Sequence, residues 1–510
     1  MPPCLCERIR DLAGGPVSLG AGLRTNTLWV LTGDLGVQLV SLGFGVVLAR
    51  LLVPADFGLL VTVQILTGAL GFLAANGTSE ALVRAKVLGP RDVRTLFALL
   101  LVSCTAICAA LNLIAPAFAA WFGDPRLEPL LRLSSLGFLL RPFMAVPTAL
   151  LHRAMRFREF SVLMFAGGLS AGLASTLLAF LGLGAASLAL GGLVGALVRT
   201  LLSARRAGWV PALGFDPAAA RTLGVYGFKL SVNDIIQYAR AQTANTLISR
   251  HLGAGPVGLY NKGDSLAEMP NDLLSGAAYQ TLFRALASLQ DDREQCAAVF
   301  LSALTLVSFY AMPLYVGLLW VAEPLIVVLY GEPWAAAALP LQVLALAGPL
   351  RVIANLSRAV AASHNQLGRE IRIQLETLAL LVCGTAIGLH WGLVGVAVCA
   401  LPGFIHNAAR LAGLANRTLG LGWGRLGRAL WPILRLNGIM ALVLAATDLA
   451  LTTAGLAGSR VLYLAAMVGA GGALYGAVLL LLPPLGLQGE SRRWRTLTQP
   501  RFLRSIIGRK

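Results

Sequence analysis

Charged and amide side chains recur at helical spacing inside stretches that are otherwise apolar. Between residues 222 and 249, Lys229, Asn233, Gln237 and Arg240 fall within about 80° of one another at about 100° per residue, with Asp234 at the stripe's edge. Between 257 and 283, Asn261, Asp264, Ser265, Glu268, Asp272 and Ser275 fall within about 100°, with Lys262 nearby. Asn26, Asp34, Gln38 and Ser41 share about 120° of an earlier stretch. Gln64, Asn76 and Glu80 follow in the next, and Arg351 and Asn355 lie further on. Such groups are costly in a bilayer and face a cavity or a partner. The cations can hold an anion, and the amides can hydrogen-bond hydroxyl groups. The acids could take up a proton, because burial raises a carboxyl pKa. They could equally bind sodium, or pair with cations, as in Lys229–Asp234 or Lys262–Asp264. The stripes as a whole carry more charge than packing needs.

The elements that must position these residues follow from composition. The chain has 510 residues, 57% hydrophobic and 13% charged. Soluble domains average about 25% charged. Disorder and a large soluble enzyme are both excluded. The hydropathy pattern predicts fourteen membrane spans, at about 25–49, 57–82, 93–118, 127–151, 160–181, 185–203, 222–249, 257–283, 296–321, 336–361, 373–389, 393–415, 429–450 and 460–482. The second, seventh and eighth are the least apolar. No apolar core precedes Leu23, so no cleaved signal peptide is expected.

The net charge of +18 would suggest nucleic acid in a soluble protein. Here the basic residues sort by loop instead. With a cytoplasmic N-terminus, the even loops carry Arg84, Lys86, Arg91 and Arg94; Arg153, Arg156 and Arg158; and Arg199, Arg205, Arg206 and Arg221. The later even loops continue the pattern, while the odd loops hold little beyond Arg50, Arg126 and Arg250. The positive-inside rule therefore puts both termini in the cytoplasm. No partnership with nucleic acid is expected. The tail 491–510 is basic, with Trp494 and Phe502, and suits anionic membrane lipids. The seven cysteines and five histidines form no zinc spacing or triad, so no metal, no cofactor and no catalytic residue is expected. All loops are short, which leaves no extramembrane catalytic domain.

A shift of 200 residues aligns Arg50, Leu52, Gly58 and Leu59 with Arg250, Leu252, Gly258 and Leu259, and Asp34 with Asp234. A six-segment period implies two parallel repeats. The expected domains are a tail at 1–24, a six-helix lobe at 25–204, a linker at 205–221, a second lobe at 222–418, two accessory helices at 419–483, and a basic tail at 484–510. Two lobes about an axis normal to the membrane would enclose a cavity, which favours a transporter. Arg50 and Arg250 end the first and seventh spans. They either snorkel to the headgroups or place one guanidinium per lobe at the outer mouth, where a phosphate could be held bidentately.

The stretch 47–60, Val-Leu-Ala-Arg-Leu-Leu-Val-Pro-Ala-Asp-Phe-Gly-Leu-Leu, resembles a signature after the first helix of bacterial polysaccharide exporters. Stretches 150–158, 248–260 and 282–291 agree in order and spacing, although Arg284 stands where those proteins often have proline. The resemblance is to the oligosaccharide-lipid flippases of the multidrug/oligosaccharidyl-lipid/polysaccharide exporter superfamily. It implies an all-α polytopic fold in the bacterial inner membrane, with two six-helix bundles in a V around a central cavity and two further helices. It also implies alternating access and an oligosaccharide on a polyprenyl diphosphate as substrate, for O-antigen, capsule or exopolysaccharide synthesis. A polysaccharide polymerase or export machinery would be its partner. Such a substrate would use Arg50, Lys229, Asn233, Gln237, Arg240, Arg250, Lys262 and Arg351 for binding. Asp34, Asp234, Asp264 and Glu268 would couple export to protons or sodium. Other readings are a same-fold exporter of drug cations or of the peptidoglycan lipid precursor, a membrane glycosyltransferase, polymerase or ligase, and a structural membrane protein. A drug-cation exporter would have a predominantly acidic cavity, whereas this one is mixed.

Overall fold

The computed structural model describes residues 36–72, 89–154 and 156–481, without the side chains of 218–219, 221–233, 277, 457 and 479–481. Among the described residues there are fourteen α-helices and no strand. They are α1 (Gly36–Leu51), α2 (Pro54–Gly71), α3 (Pro90–Phe122), α4 (Leu127–Arg153), α5 (Phe157–Phe180), α6 (Ala185–Ala207) and α7 (Pro217–Leu252). There follow α8 (Ala254–Ser288), α9 (Arg293–Tyr330), α10 (Ala338–Ser363), α11 (Leu367–Gly388), α12 (Gly392–Leu419), α13 (Trp423–Thr453) and α14 (Arg460–Leu481). Each falls on one of the expected spans. Several are longer than a bilayer core needs. The 38 residues of α9 rise roughly 57 Å, against about 30 Å of hydrocarbon. α2 is apolar enough to span by composition but ranks at the bottom of those that are, as expected, and α7 and α8 fall below it. Their polar stripes dilute the apolar count.

Acidic side chains serve the unpaired N–H groups at the starts of α9 and α6. Asp292 caps α9 through Glu294 and Gln295. Asp56 accepts from the Val53 N–H on its own helix and from the Ala185 N–H at the start of α6. Gly253, the single residue between α7 and α8, has φ +91°, where a Cβ would be strained.

The chain forms two compact units, residues 1–258 and 259–510. In the first, Leu96, Leu100, Leu111 and Ala115 of α3 pack with Leu131, Phe138 and Val146 of α4. α5 and α6 approach through glycines: a Cβ at Gly191 would overlap Ser175, and one at Gly195 would crowd the Gly167 carbonyl. In the second, Phe300, Leu304, Phe309 and Tyr315 of α9 pack with Val352 and Leu356 of α10 and Ile433 of α13. Gly384 and Gly388 bring α11 against the Cys399 and Gly395 carbonyls of α12. Gly472 and Gly476 of α14 have the same spacing but meet nothing.

Candidate functional site

In the second unit, Arg351 of α10 bridges two carboxylates of α8. Its Nη2 donates to Asp264 Oδ1 at 2.7 Å, and its Nη1 donates to Glu268 Oε2. The acids stand four residues apart, on one face of the helix, so a single planar fork reaches both. The Arg351 side chain is 11% exposed and the acids 30% and 35%, so the arginine is the deeper member. Asn271 donates to the other Glu268 oxygen at 2.8 Å. The Phe404 ring lies under the guanidinium at 4.6 Å. Pro270 interrupts α8 and Pro349 interrupts α10 on either side of this contact. Asp272 lies one turn beyond Glu268. With one cation to two acids, and a third acid close by, the cluster is net acidic.

Lys262 follows different physics. Its ammonium lies 4.5 Å from the centroid of the Tyr330 ring and 5.7 Å from that of Trp334. Those rings come from the end of α9 and from the short 3₁₀ turn Glu332–Ala337. The ring faces attract the ammonium and offset part of the hydration it loses on burial.

In the first unit, Asp234, Gln237 and Arg240 are half-buried on α7, and Arg50 and Arg250 are exposed at helix ends. Arg250 lies 5.9 Å from the Trp121 ring. Lower on the same helix, Tyr238 donates to the Gln64 carbonyl of α2 at 2.5 Å, and Ser249 and Thr62 share a bond of 2.6 Å. The starts of α2 and α8 cross at Gly58 and Gly258. A Cβ on Gly58 would overlap the Ala254 carbonyl, and one on Gly258 would overlap the Pro54 carbonyl. Asp34 and the side chains of Lys229 and Asn233 lie outside the described residues.

Two arginines stand apart from the expected set. The charge count assigns Arg199 to a loop. However, α6 runs on to Ala207, so Arg199 lies about two turns inside the helix. Arg141 stands mid-way along α4 beside Pro142. An Arg-Pro pair inside an apolar run was its only sequence signal, and nothing in helical spacing ties it to Arg199.

Residues 47–339, more than half of the chain, match the family described as "Polysaccharide biosynthesis protein". The chain is 28% identical over 365 residues to the lipopolysaccharide biosynthesis protein WzxC of Escherichia coli (strain K12), covering 71% of this chain and 74% of that one. It is 28% identical over 315 residues to the succinoglycan biosynthesis transport protein ExoT of Rhizobium meliloti (strain 1021), covering 62% and 63%. Among solved structures it is similar to the lipid II flippase MurJ in an inward closed conformation, with a TM-score of 0.75 and 14% identity over 92% of this chain and 100% of that one. It is also similar to an inward-facing multidrug resistance MATE family transporter of the MOP superfamily, with a TM-score of 0.63 and 15% identity over 75% and 94%. At such identities the structural likeness establishes the fold alone. With its apolar helices and this match across most of its first two-thirds, the chain is a multi-pass membrane protein that belongs to the polysaccharide biosynthesis protein family.

Proposed function

We propose that this protein carries an oligosaccharide on a polyprenyl diphosphate from the inner to the outer leaflet of a bacterial plasma membrane, by alternating access, for O-antigen, capsule or exopolysaccharide synthesis. The observation that carries this reading is a family match over a chain of membrane helices that hold mixed charges at depth. A lipid-linked glycan has an anionic diphosphate, a hydroxyl-rich head and an apolar tail. Cations and amides inside the helices suit the first two, and lipid holds the third. The protein acts as a carrier, not as a catalyst.

Within this reading, Arg351, Asp264 and Glu268 form the coupling element. A proton or sodium ion on either acid weakens its hold on the guanidinium, which makes the α8–α10 contact dependent on the ion. Arg50, Arg250, Lys262 and the α7 stripe of Lys229, Asn233, Asp234, Gln237 and Arg240 are the proposed contacts to the moving headgroup. Both termini are cytoplasmic, and a polysaccharide polymerase receives the product.

The test is leaflet-resolved labelling of the lipid-linked glycan in a deletion strain, with a probe confined to the outer face. Loss of outer-face glycan on deletion, restored by the wild-type gene, is expected. An unchanged outer-face pool would refute the reading. Full rescue by Asp264→Asn and Glu268→Gln would refute the coupling assignment alone.

A further inference from the structure

The acid-paired arginine of α10 has a counterpart in the first unit that, among the described residues, has no acid partner. Arg351 stands sixteen residues before the start of α11, and Arg141 sixteen before the start of α5. α4 and α10 are the fourth helices of the two repeats, so the arginines hold equivalent places. Both lie beside a helix-interrupting proline, Pro142 and Pro349. α8 supplies Asp264 and Glu268 to Arg351. At the same 200-residue shift α2 offers Gln64 and Gly68 instead. Tyr238 fills the space at Gly68. Where α8 has Asn271, α2 has Gly71, and Arg141 Nη1 lies 2.6 Å from the point a Cβ would occupy there.

Arg199 joins this site from α6. α4 and α6 touch where Leu193 faces Gly137, one turn before Arg141, and the two guanidiniums interact electrostatically. The Arg199 stem crosses Gly167 of α5 so closely that a Cβ there would overlap it. Its Nε is buried with no hydrogen-bond partner. Among the described residues neither guanidinium has a carboxylate; Arg141 lies 5.8 Å from the Phe138 ring and near the Cys104 thiol. By helix rise, Arg141 is roughly 18 Å and Arg199 roughly 12 Å from the C-terminal ends of α4 and α6, so both stand within apolar helices.

Two like charges at such depth repel each other and lose hydration. The second unit shows how this chain neutralises a resident cation, with acids from the neighbouring helix. Among the described residues of the first unit no acid takes that place, and glycines stand where side chains would crowd the guanidiniums. An arrangement of that kind suits an anion that enters and leaves. Two planar forks match the oxygens of a phosphate ester. We propose that Arg141 and Arg199 form a phosphate-binding subsite within the first unit, which takes the diphosphate of the carried lipid; this rests on the transport reading above.

The test uses the purified full-length protein in detergent, with farnesyl diphosphate as probe and farnesol and inorganic pyrophosphate beside it. Farnesyl diphosphate is expected to bind, and farnesol is not. Arg141→Gln and Arg199→Gln should each weaken binding at least about tenfold, the size of one lost charge-assisted hydrogen bond. Gly71→Asp keeps both arginines but supplies the missing acid. It should weaken binding as much without lowering the melting midpoint, whereas Gly71→Asn, which adds bulk without charge, should lose less. Unchanged binding in the glutamine variants and in Gly71→Asp would overturn the subsite. So would a loss confined to Arg351→Gln. Pyrophosphate binding as tightly as farnesyl diphosphate would overturn the lipid assignment. In the leaflet assay, normal transport by Arg141→Gln would overturn the subsite and leave the transport reading standing. A wild-type protein that binds farnesyl diphosphate through these arginines but moves no glycan would do the reverse.

Discussion

Replacing Arg351 by methionine removes the one group that Asp264 and Glu268 share. Glu268 keeps the Asn271 amide on its second oxygen, and Asp264 keeps only what its 30% exposure admits. Breaking a fully buried ion pair costs roughly 3–5 kcal/mol, and the partial exposure of both acids reduces this to about 2–3 kcal/mol. For a unit of some 250 residues that lowers the melting midpoint by roughly 5–10 °C. The assay is thermal unfolding of the detergent-solubilised protein, read through tryptophan fluorescence. The companion is the triple variant Asp264→Asn, Glu268→Gln, Arg351→Met, in which no charge is left behind. If the penalty is that of orphaned carboxylates, the triple variant recovers most of the loss, because an apolar or neutral replacement of a whole buried network is close to neutral. A single variant that melts like wild type, or a triple variant that melts as low as the single, would refute this account of the cluster.

Three further outcomes are expected. Gly58→Ala and Gly258→Ala each force a methyl group into a backbone carbonyl, so each should cost more than the roughly 1–3 kcal/mol of ordinary overpacking, while Gly43→Ala, with nothing within 4 Å, should be neutral in the same melts. A double-mutant cycle on Thr62→Val and Ser249→Ala should return a coupling of about 1 kcal/mol for their buried hydrogen bond; a value near zero would show that the pair is not formed. In the turn between α3 and α4, bidentate hydrogen bonds from Arg126 hold the Asp124 carboxyl below its ordinary value of 3.8. Its contribution is therefore full above that value and fades as pH falls through the lower folded one, which Asp124→Asn should abolish. Because the Arg126 side chain is 60% exposed, the difference between acid-range melts should stay under about 1 kcal/mol.

The spans were legible because apolar length and the placement of arginines are local properties. α7 and α8 needed more. Their composition dilutes hydropathy, and the helical spacing of their polar residues is the sequence signal that remains. The same spacing put Asp264 and Glu268 on one side of α8. It gave no hint that Arg351, 83 residues further on, would bridge them, since pairing across helices depends on how the helices pack. Lys262 illustrates the same limit: the acid two residues away serves Arg351, and the rings under its ammonium come from some 70 residues downstream. Arg199 was counted with the loop charges near it although the expected span ran to 203, and α6 continues to Ala207. Arg141 was passed over because a lone charge carries no periodicity.

The crossing at Gly58 and Gly258 also accounts for where the internal repeat is strongest. Each glycine is the other's counterpart at the 200-residue shift, and each makes room for the carbonyl at the start of the other's helix. That is the form of an isologous contact, the kind made across the two-fold axis of a homodimer, here enclosed in one chain. The contact is made twice, once from each side, and a side chain on either glycine would push the two helix starts apart. Elsewhere each copy is free to suit its own neighbours. Here the two copies carry the same residue for the same steric reason.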